Sequence, residues 1–270
     1  MPKKILKKIF NNMGYNIITK TEQKELDFYR YLNPASLIYS VSDQSSRELI
    51  APLLPFSKAQ LAQDLFAIVQ HKNCSSPGFF VEFGATDGVT CSNTWMLEVK
   101  LGWGGILAEP AKIWHQALSN NRNCSIDYRC VAPTSGKMLS FAEVKNTHEA
   151  TAELSTISKY SNNGDWASGI RGRAQDTYNV ESISLEDLLD TYNAPGTIDF
   201  LSIDTEGSEL DILKSYDFKS KNRKILAICV EHNFVQVNRS AINRYLADSG
   251  YKQVFSEITK WDDWYVLSAG

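Results

Sequence analysis

From residue 79 onward the chain alternates short apolar runs with amphipathic stretches. Phe79, Phe80, Val81 and Phe83 form the first run, entered from Pro77-Gly78. Ile106 to Ala108, Ser125 to Val131, Asp199 to Ile203 and Ile225 to Val230 repeat it, each separated by enough chain for a helix. Continuous apolar runs bounded by turn residues predict strands buried on both faces. Between them, Trp95-Met96-Leu97 running to Gly102, Ala111 to Asn120, a capped start at Ser184-Leu-Glu-Asp187, and Asn238 to Ser249 before Gly250 predict helices. Tyr251 to Ile258 and Trp264 to Leu267 read as a closing antiparallel pair. Alternating strands and helices predict an α/β protein with a doubly wound, mainly parallel sheet. Ligands in such a sheet sit beyond the carboxyl ends of the strands, at the topological switch point.

The first 56 residues have a different pattern and are expected to form an N-terminal helical accessory segment, with residues 57–270 as the Rossmann-like domain. In residues 1–15, Lys3, Lys4, Lys7 and Lys8 interleave with Ile5, Leu6, Ile9, Phe10 and Met13 at helical spacing. The lysines interrupt any secretory h-region. Such a helix packs on its own domain or on a partner chain, which is the expectation here; the sharper alternative is peripheral contact with an anionic membrane surface. Glu22 to Leu32 predicts a second helix. Ser57, with Gln60 placed for a capping box, predicts a third that carries Leu61, Leu65, Ile68 and Val69 toward the core. Residues 134–180 are rich in Ser, Thr, Asn and Gly and read as an irregular insertion able to cover an acceptor site, with short strands at Phe141 to Val144 and Leu154 to Ile157. Arg171 and Arg173 read as solvated, with a grip on an anionic acceptor as the alternative.

Composition excludes several classes. The net charge of −3 provides no basic field for nucleic acid. The five cysteines, Cys74, Cys91, Cys124, Cys130 and Cys229, form no CxxC pair, which fits reduced thiols in a cytoplasmic protein. No apolar run reaches the roughly 18 residues of a membrane span.

The turn after the first strand carries the candidate chemistry. Gly84 and Gly88 bracket Ala85-Thr86-Asp87, and the middle glycine of a dinucleotide fingerprint is missing. Glu82 and Asp87 flank the turn, and carboxylates there would repel a diphosphate by roughly 1 to 4 kcal/mol per close pair. They suit a ligand with an ammonium and a sulfonium, as in S-adenosylmethionine, whose own carboxylate can face a helix N-terminus. Glu109 lies 21 residues after Gly88, where an acidic side chain grips a ribose diol, and Val131 ends the strand near which an adenine would lie. At the other strand ends stand Asp204, Glu206, Glu231 and His232, candidates for a base that takes the proton of a reacting hydroxyl. The carboxylates with the Asn233 amide oxygen are also hard ligands suited to Mg²⁺ or Ca²⁺.

The pieces VEFGATDG (81–88), SNT (92–94), GWGGILAEP (102–110), IDFLSIDTEGSEL (198–210) and VEHN (230–233) together resemble the FkbM-type S-adenosylmethionine-dependent methyltransferases. That resemblance implies a class I methyltransferase fold with a seven-stranded sheet closed by an antiparallel strand. It implies methyl transfer to a hydroxyl of a sugar, glycan or secondary metabolite. It places Glu82, Gly84, Thr86, Asp87, Gly88, Asn93 and Glu109 in a cofactor shell and Asp204, Glu206, Glu231 and His232 on a catalytic rim. Two rival readings stand beside it: an NAD-dependent sugar oxidoreductase, against which the missing glycine counts, and a non-catalytic binding module that keeps the fold.

Overall fold

The computed structural model describes residues 35, 36, 38, 39, 42–71, 76–145, 152–162, 164, 165, 167–171, 175–219, 222–256 and 258–268. The helices expected over residues 1–15 and 22–32, and Cys74 and Arg173, lie outside them.

The chain forms β1 (Phe79–Phe83), α3 (Trp95–Leu101), β2 (Gly104–Ala108), α4 (Lys112–Asn121) and β3 (Ser125–Asp127). Before them come α1 (Gln44–Ile50) and α2 (Gln63–His71). The second half forms α6 (Leu185–Thr191), β8 (Thr197–Ile203), α7 (Glu209–Ser215), β9 (Lys224–Glu231), α8 (Gln236–Asp248), β10 (Tyr251–Val254) and β11 (Asp262–Leu267). Seven of these strands build one sheet in the order β10-β11-β9-β8-β1-β2-β3. It is parallel from β9 to β3, and β11 runs antiparallel to both β9 and β10. The predicted doubly wound α/β sheet with a closing antiparallel strand is therefore present. Chain order reverses between β1 and β8, and a crevice opens at their carboxyl ends.

The period of two along each strand sorts the side chains between two cores. Val81, Phe83, Ile106, Leu201, Ile203, Ile228 and Val230 face α6, α7 and α8, packing on Leu188, Leu213 and Leu246. Phe80, Leu107, Phe200, Ala227, Cys229 and Trp264 face the other way, onto Leu65 and Phe66 of α2 and Met96 and Leu97 of α3. Phe66 stacks on Trp264, with ring centroids 4.8 Å apart. At the carboxyl ends this second face turns polar. Two residues beyond Phe80 stands Glu82, beyond Phe200 stands Ser202, and beyond Cys229 stands Glu231. On antiparallel β11, Asp262 pairs in register with Glu231. The alternation that makes the core also gathers these groups into one layer.

Three expectations are corrected. The helix expected to open at Ser57 begins at Gln63, after a 3-10 turn over Ala51–Phe56 that holds both Pro52 and Pro55. Asp64, in the first turn of that helix, ties down the preceding stretch, accepting from the Ser57 hydroxyl at 2.7 Å and the Lys58 amide at 3.0 Å. The third predicted strand breaks in two: Arg129 folds back on Asp127 (2.6 Å), and Cys130–Val131 (β4) leaves the main sheet. The segment read as irregular is more ordered than expected. The short strands expected near Phe141 to Val144 and Leu154 to Ile157 are present as β5 (Met138–Val144) and β6 (Thr156–Ile157). A short helix α5 (Ser168–Arg171) and a strand not foreseen, β7 (Gln175–Ile183), follow, the strands forming with β4 a second sheet in the order β4-β7-β5-β6. Among the described residues no helix is long and apolar enough to cross a membrane.

Gly84 locks the two central turns together. Its φ is +77°, and a Cβ there would lie 2.1 Å from the Asp204 carbonyl oxygen. Gly84→Ala adds left-handed strain of about 1 to 2 kcal/mol to that collision. It should lower unfolding free energy in urea by more than about 2 kcal/mol; a loss near zero would show that the turns do not meet in this way.

Candidate active site

A cavity of about 440 Å³ occupies the carboxyl-end crevice, within the size range of small-ligand sites. Of the residues singled out by sequence, Glu82, Gly84, Thr86, Asn93, Glu109, Val131, Asp204, Glu206 and Glu231 line it. Asp87, Gly88 and His232 do not.

In the first half of the cavity, carboxylates shape the backbone. Glu82 is buried and accepts from the Asn93 amide at 2.7 Å and from the Ser92 and Thr94 hydroxyls. Behind them Arg122, also buried, donates to the Gly88 carbonyl, Ser92 and Thr94 and pairs with Glu98. Burial pushes the Glu82 carboxyl up, and Arg122 with the hydroxyls pulls it back. This network fixes Asn93, whose amide nitrogen donates to Ser202 at 2.9 Å. The Asn93 Oδ1 is buried against the cavity with no hydrogen-bond partner among the described residues. Asp87 turns away and accepts from the amides of Val89 and Thr90, closing its own loop. Thr86, at φ +48°, donates its amide to Glu109 Oε2, and the Ala111 amide donates to Oε1, each at 2.8 Å. Burial pushes Glu109 up to about 7 despite those donors, and Asp204 and Glu143 push the same way. Val131, with Phe141 and Ile157, makes the apolar wall.

The second half is acidic. One carboxylate oxygen from each of Asp204, Glu206 and Glu231 lies within 4.8 Å of the others. Burial raises all three, and their mutual repulsion raises Glu206 and Glu231 further. Asp204 is part-buried, whereas Glu206 and Glu231 are each only 9% exposed. The Asn233 amide nitrogen donates to Glu231 at 2.7 Å and to Glu206 at 3.1 Å, so the amide turns its NH₂, not its oxygen, toward the carboxylates. Backbone strain gathers here: Glu206, Asn233 and Phe234 have φ of +58°, +48° and +59°.

Three side chains act in ways the sequence did not disclose. Arg171, expected to be solvated, is fully buried; it pairs with Glu206, donates to Asp165 at 2.7 Å and donates to the Leu154 carbonyl at 3.0 Å. Glu209 accepts the Thr205 and Gly207 amides, which frees Glu206 from capping α7. Asp262 lines the cavity, its Oδ2 taking Gln63 and the Trp264 indole. A signal for Asp262 was present in the alternation Asp262-x-Trp264 on the last strand. Nothing local marks Arg171. His232 stands behind the turn, its Nδ1 accepting the Phe234 amide at 3.1 Å and its Nε2 3.7 Å from Asp263.

The residues fit an adenosyl methyl donor at two points. The unpaired Asn93 Oδ1 offers an acceptor to an ammonium, and Glu109 closes one end of the cavity with lone pairs left for a diol. The Asp204, Glu206 and Glu231 group is compact enough to hold a divalent cation.

Two outcomes test these assignments. Because the folded Glu109 carboxyl holds its proton more tightly than the unfolded one, its stabilisation is complete below about pH 4.5 and is lost as pH rises through about 7. Glu109→Gln should therefore flatten the decline in urea stability across that window by up to roughly 3 kcal/mol, and an unchanged decline would refute the shift. Arg171→Ala strands Glu206 and Asp165 in the interior and should cost about 3 to 5 kcal/mol in the same measurement. A loss under about 1 kcal/mol would mean that water reaches the pair.

The methyltransferase FkbM from Methylobacillus flagellatus KT aligns with 89% of this chain at 14% identity and a TM-score of 0.44. The chain spans 60% of that protein's length. The ribosomal protein L11 methylase from Lactobacillus delbrueckii subsp. bulgaricus aligns with 77% of this chain and 79% of its own, at 10% identity and a TM-score of 0.38. No curated protein matches significantly. Residues 82–253, from the Glu82 staple to the penultimate strand, match the Methyltransferase FkbM domain, and the chain belongs to that family.

Proposed function

We propose that this protein transfers a methyl group from S-adenosylmethionine to a hydroxyl of a sugar or glycan. The observation that carries the reading is the two-part cavity: an acceptor-lined half around Asn93 and Glu109 joins an acidic half around Asp204 through the Gly84 contact. When bound, the donor supplies an electrophilic methyl carbon on a sulfonium and departs as a neutral thioether. On this chain, Thr86, Asn93 and Glu109 hold the donor's polar groups, while Val131 and Phe141 flank its apolar face. The attacking hydroxyl oxygen forms the new bond to carbon, and its proton passes to a carboxylate. Asp204 is the best placed, being the least buried of the three and raised by burial toward the range where a carboxylate takes a proton readily. Glu231 and Glu206 surround it and share its charge. His232, turned toward Asp263, holds the turn and is not assigned the proton.

The same carboxylates favour a second element, a Mg²⁺ or Ca²⁺ ion that would orient the hydroxyl and lower its pKa. Turnover with and without EDTA separates the two cases.

Calorimetry with S-adenosylhomocysteine should show binding that Glu109→Ala weakens by roughly tenfold or more. Asp204→Asn should slow transfer to a glycan acceptor by about 10²-fold or more while product affinity stays nearly constant. Absence of S-adenosylhomocysteine binding, or absorbance changes of reduced nicotinamide on mixing with sugars, would overturn the reading.

A further inference from the structure

At the mouth of the cavity the chain does something costly. Phe234 lines the cavity yet is 64% exposed. It follows Asn233, and both residues are left-handed, at φ +59° and +48°. Two successive non-glycine residues in that region cost about 1 to 2 kcal/mol each. The surroundings enforce the turn. The His232 and Asn233 amides both donate to the Trp261 carbonyl, at 2.8 and 3.0 Å. The Val235 amide returns to the His232 carbonyl at 2.8 Å, and His232 Nδ1 accepts the Phe234 amide at 3.1 Å. The His232 and Phe234 rings meet edge to face at 6.2 Å, and Asn233 ties the turn to Glu206 and Glu231. An apolar ring that could have folded inward is thus held outward beside the acidic half of the site.

We infer that Phe234 is the acceptor platform: its ring stacks on the C–H face of a pyranose while the carboxylates beside it accept from the sugar's hydroxyls. A pyranose has an apolar face with hydroxyls around its edge, and an aromatic ring adjoining Glu206, Glu231 and Asp204 matches both features. A cationic acceptor matches less well, because Arg171 and Asn233 already take part of the negative charge. His232 is then a positioning residue for this ring. The choice of ligand rests on the sugar-hydroxyl reading above.

The test is saturation-transfer NMR on the full chain with S-adenosylhomocysteine present, irradiating aromatic protons and observing methyl pyranosides of gluco, galacto, manno and fuco configuration. Saturation should reach C–H protons on one face of at least one pyranoside. Phe234→Ala should weaken that pyranoside by roughly tenfold and Phe234→Tyr by less than about threefold, with S-adenosylhomocysteine affinity within about twofold in both. Saturation of no pyranoside, Phe234→Ala binding like the parent protein, or displacement by tetramethylammonium would each overturn the inference. Transfer of a labelled methyl group from S-adenosylmethionine to the same pyranosides, in separate samples without S-adenosylhomocysteine, separates it from the reading beneath it. A pyranoside seated on Phe234 but never methylated refutes hydroxyl methylation and leaves the platform standing. Methylation that survives Phe234→Ala with unchanged KM refutes the platform alone.

Discussion

Crowding of carboxylates at one end of the sheet is the constraint on which the site depends. Asp204, Glu206 and Glu231 bring oxygens within 4.8 Å of one another in a largely buried place. Even at an effective dielectric near 20, each fully ionised pair at that spacing repels by about 3 kcal/mol. The protein answers with a proton-retaining environment, the Arg171 guanidinium and the Asn233 NH₂. Such an arrangement is poorly suited to a phosphate and well suited to a cationic donor, a hydroxyl or a metal ion.

The acidic residues divide by what surrounds them. Glu82 and Glu209 meet backbone amides and hydroxyls, so they act as staples that set loop geometry. Glu109 is intermediate: each oxygen has one amide donor and room for another. The three rim carboxylates meet one another, the Arg171 guanidinium and the Asn233 NH₂, and no backbone amide donates to them among the hydrogen bonds of the described residues. Identical side-chain chemistry is a structural staple in one place and is left facing a cavity in another, through the number of N–H donors within reach.

The main sheet was legible because its strands are buried on both faces, and such runs as Phe79 to Phe83 and Ile225 to Val230 admit few other readings. The second sheet was legible only in part, for the converse reason. The buried run Phe141, Ala142 and Val144 marked the end of β5, whereas polar residues such as Thr177, Asn179 and Glu181 recur along β7, so that strand does not stand out from a loop. Within the site, turn residues next to strands were found, since position on a strand end predicts the crevice. Arg171 was missed because its partner Glu206 lies 35 residues away and the pairing exists only once the second sheet docks. His232 was drawn toward the site because histidine is the residue type most often used as a base near neutral pH. Strand alternation argues otherwise: Glu231 and Asp262 share one side, which leaves His232 and Asp263 the other, where they meet at 3.7 Å.

Glu206 is where the two sheets and the proposed chemistry converge. Its carboxylate pairs with Arg171 from the 134–180 segment and takes the Asn233 amide from the turn after β9, while its carbonyl accepts from Thr156 of β6 at 3.0 Å. The segment that builds the second sheet therefore docks through the same residue that shares charge with Asp204 and Glu231. A ligand that relieves the repulsion around Glu206 acts on both relations at once, because any free energy it contributes to one state of that carboxylate is felt by every group bonded to it. Asn233 extends the linkage to Phe234 through the strained turn they share. Acidic rim and exposed aromatic turn are in this way one connected unit, and its strained backbone is kept in place by contacts from three separate stretches of chain.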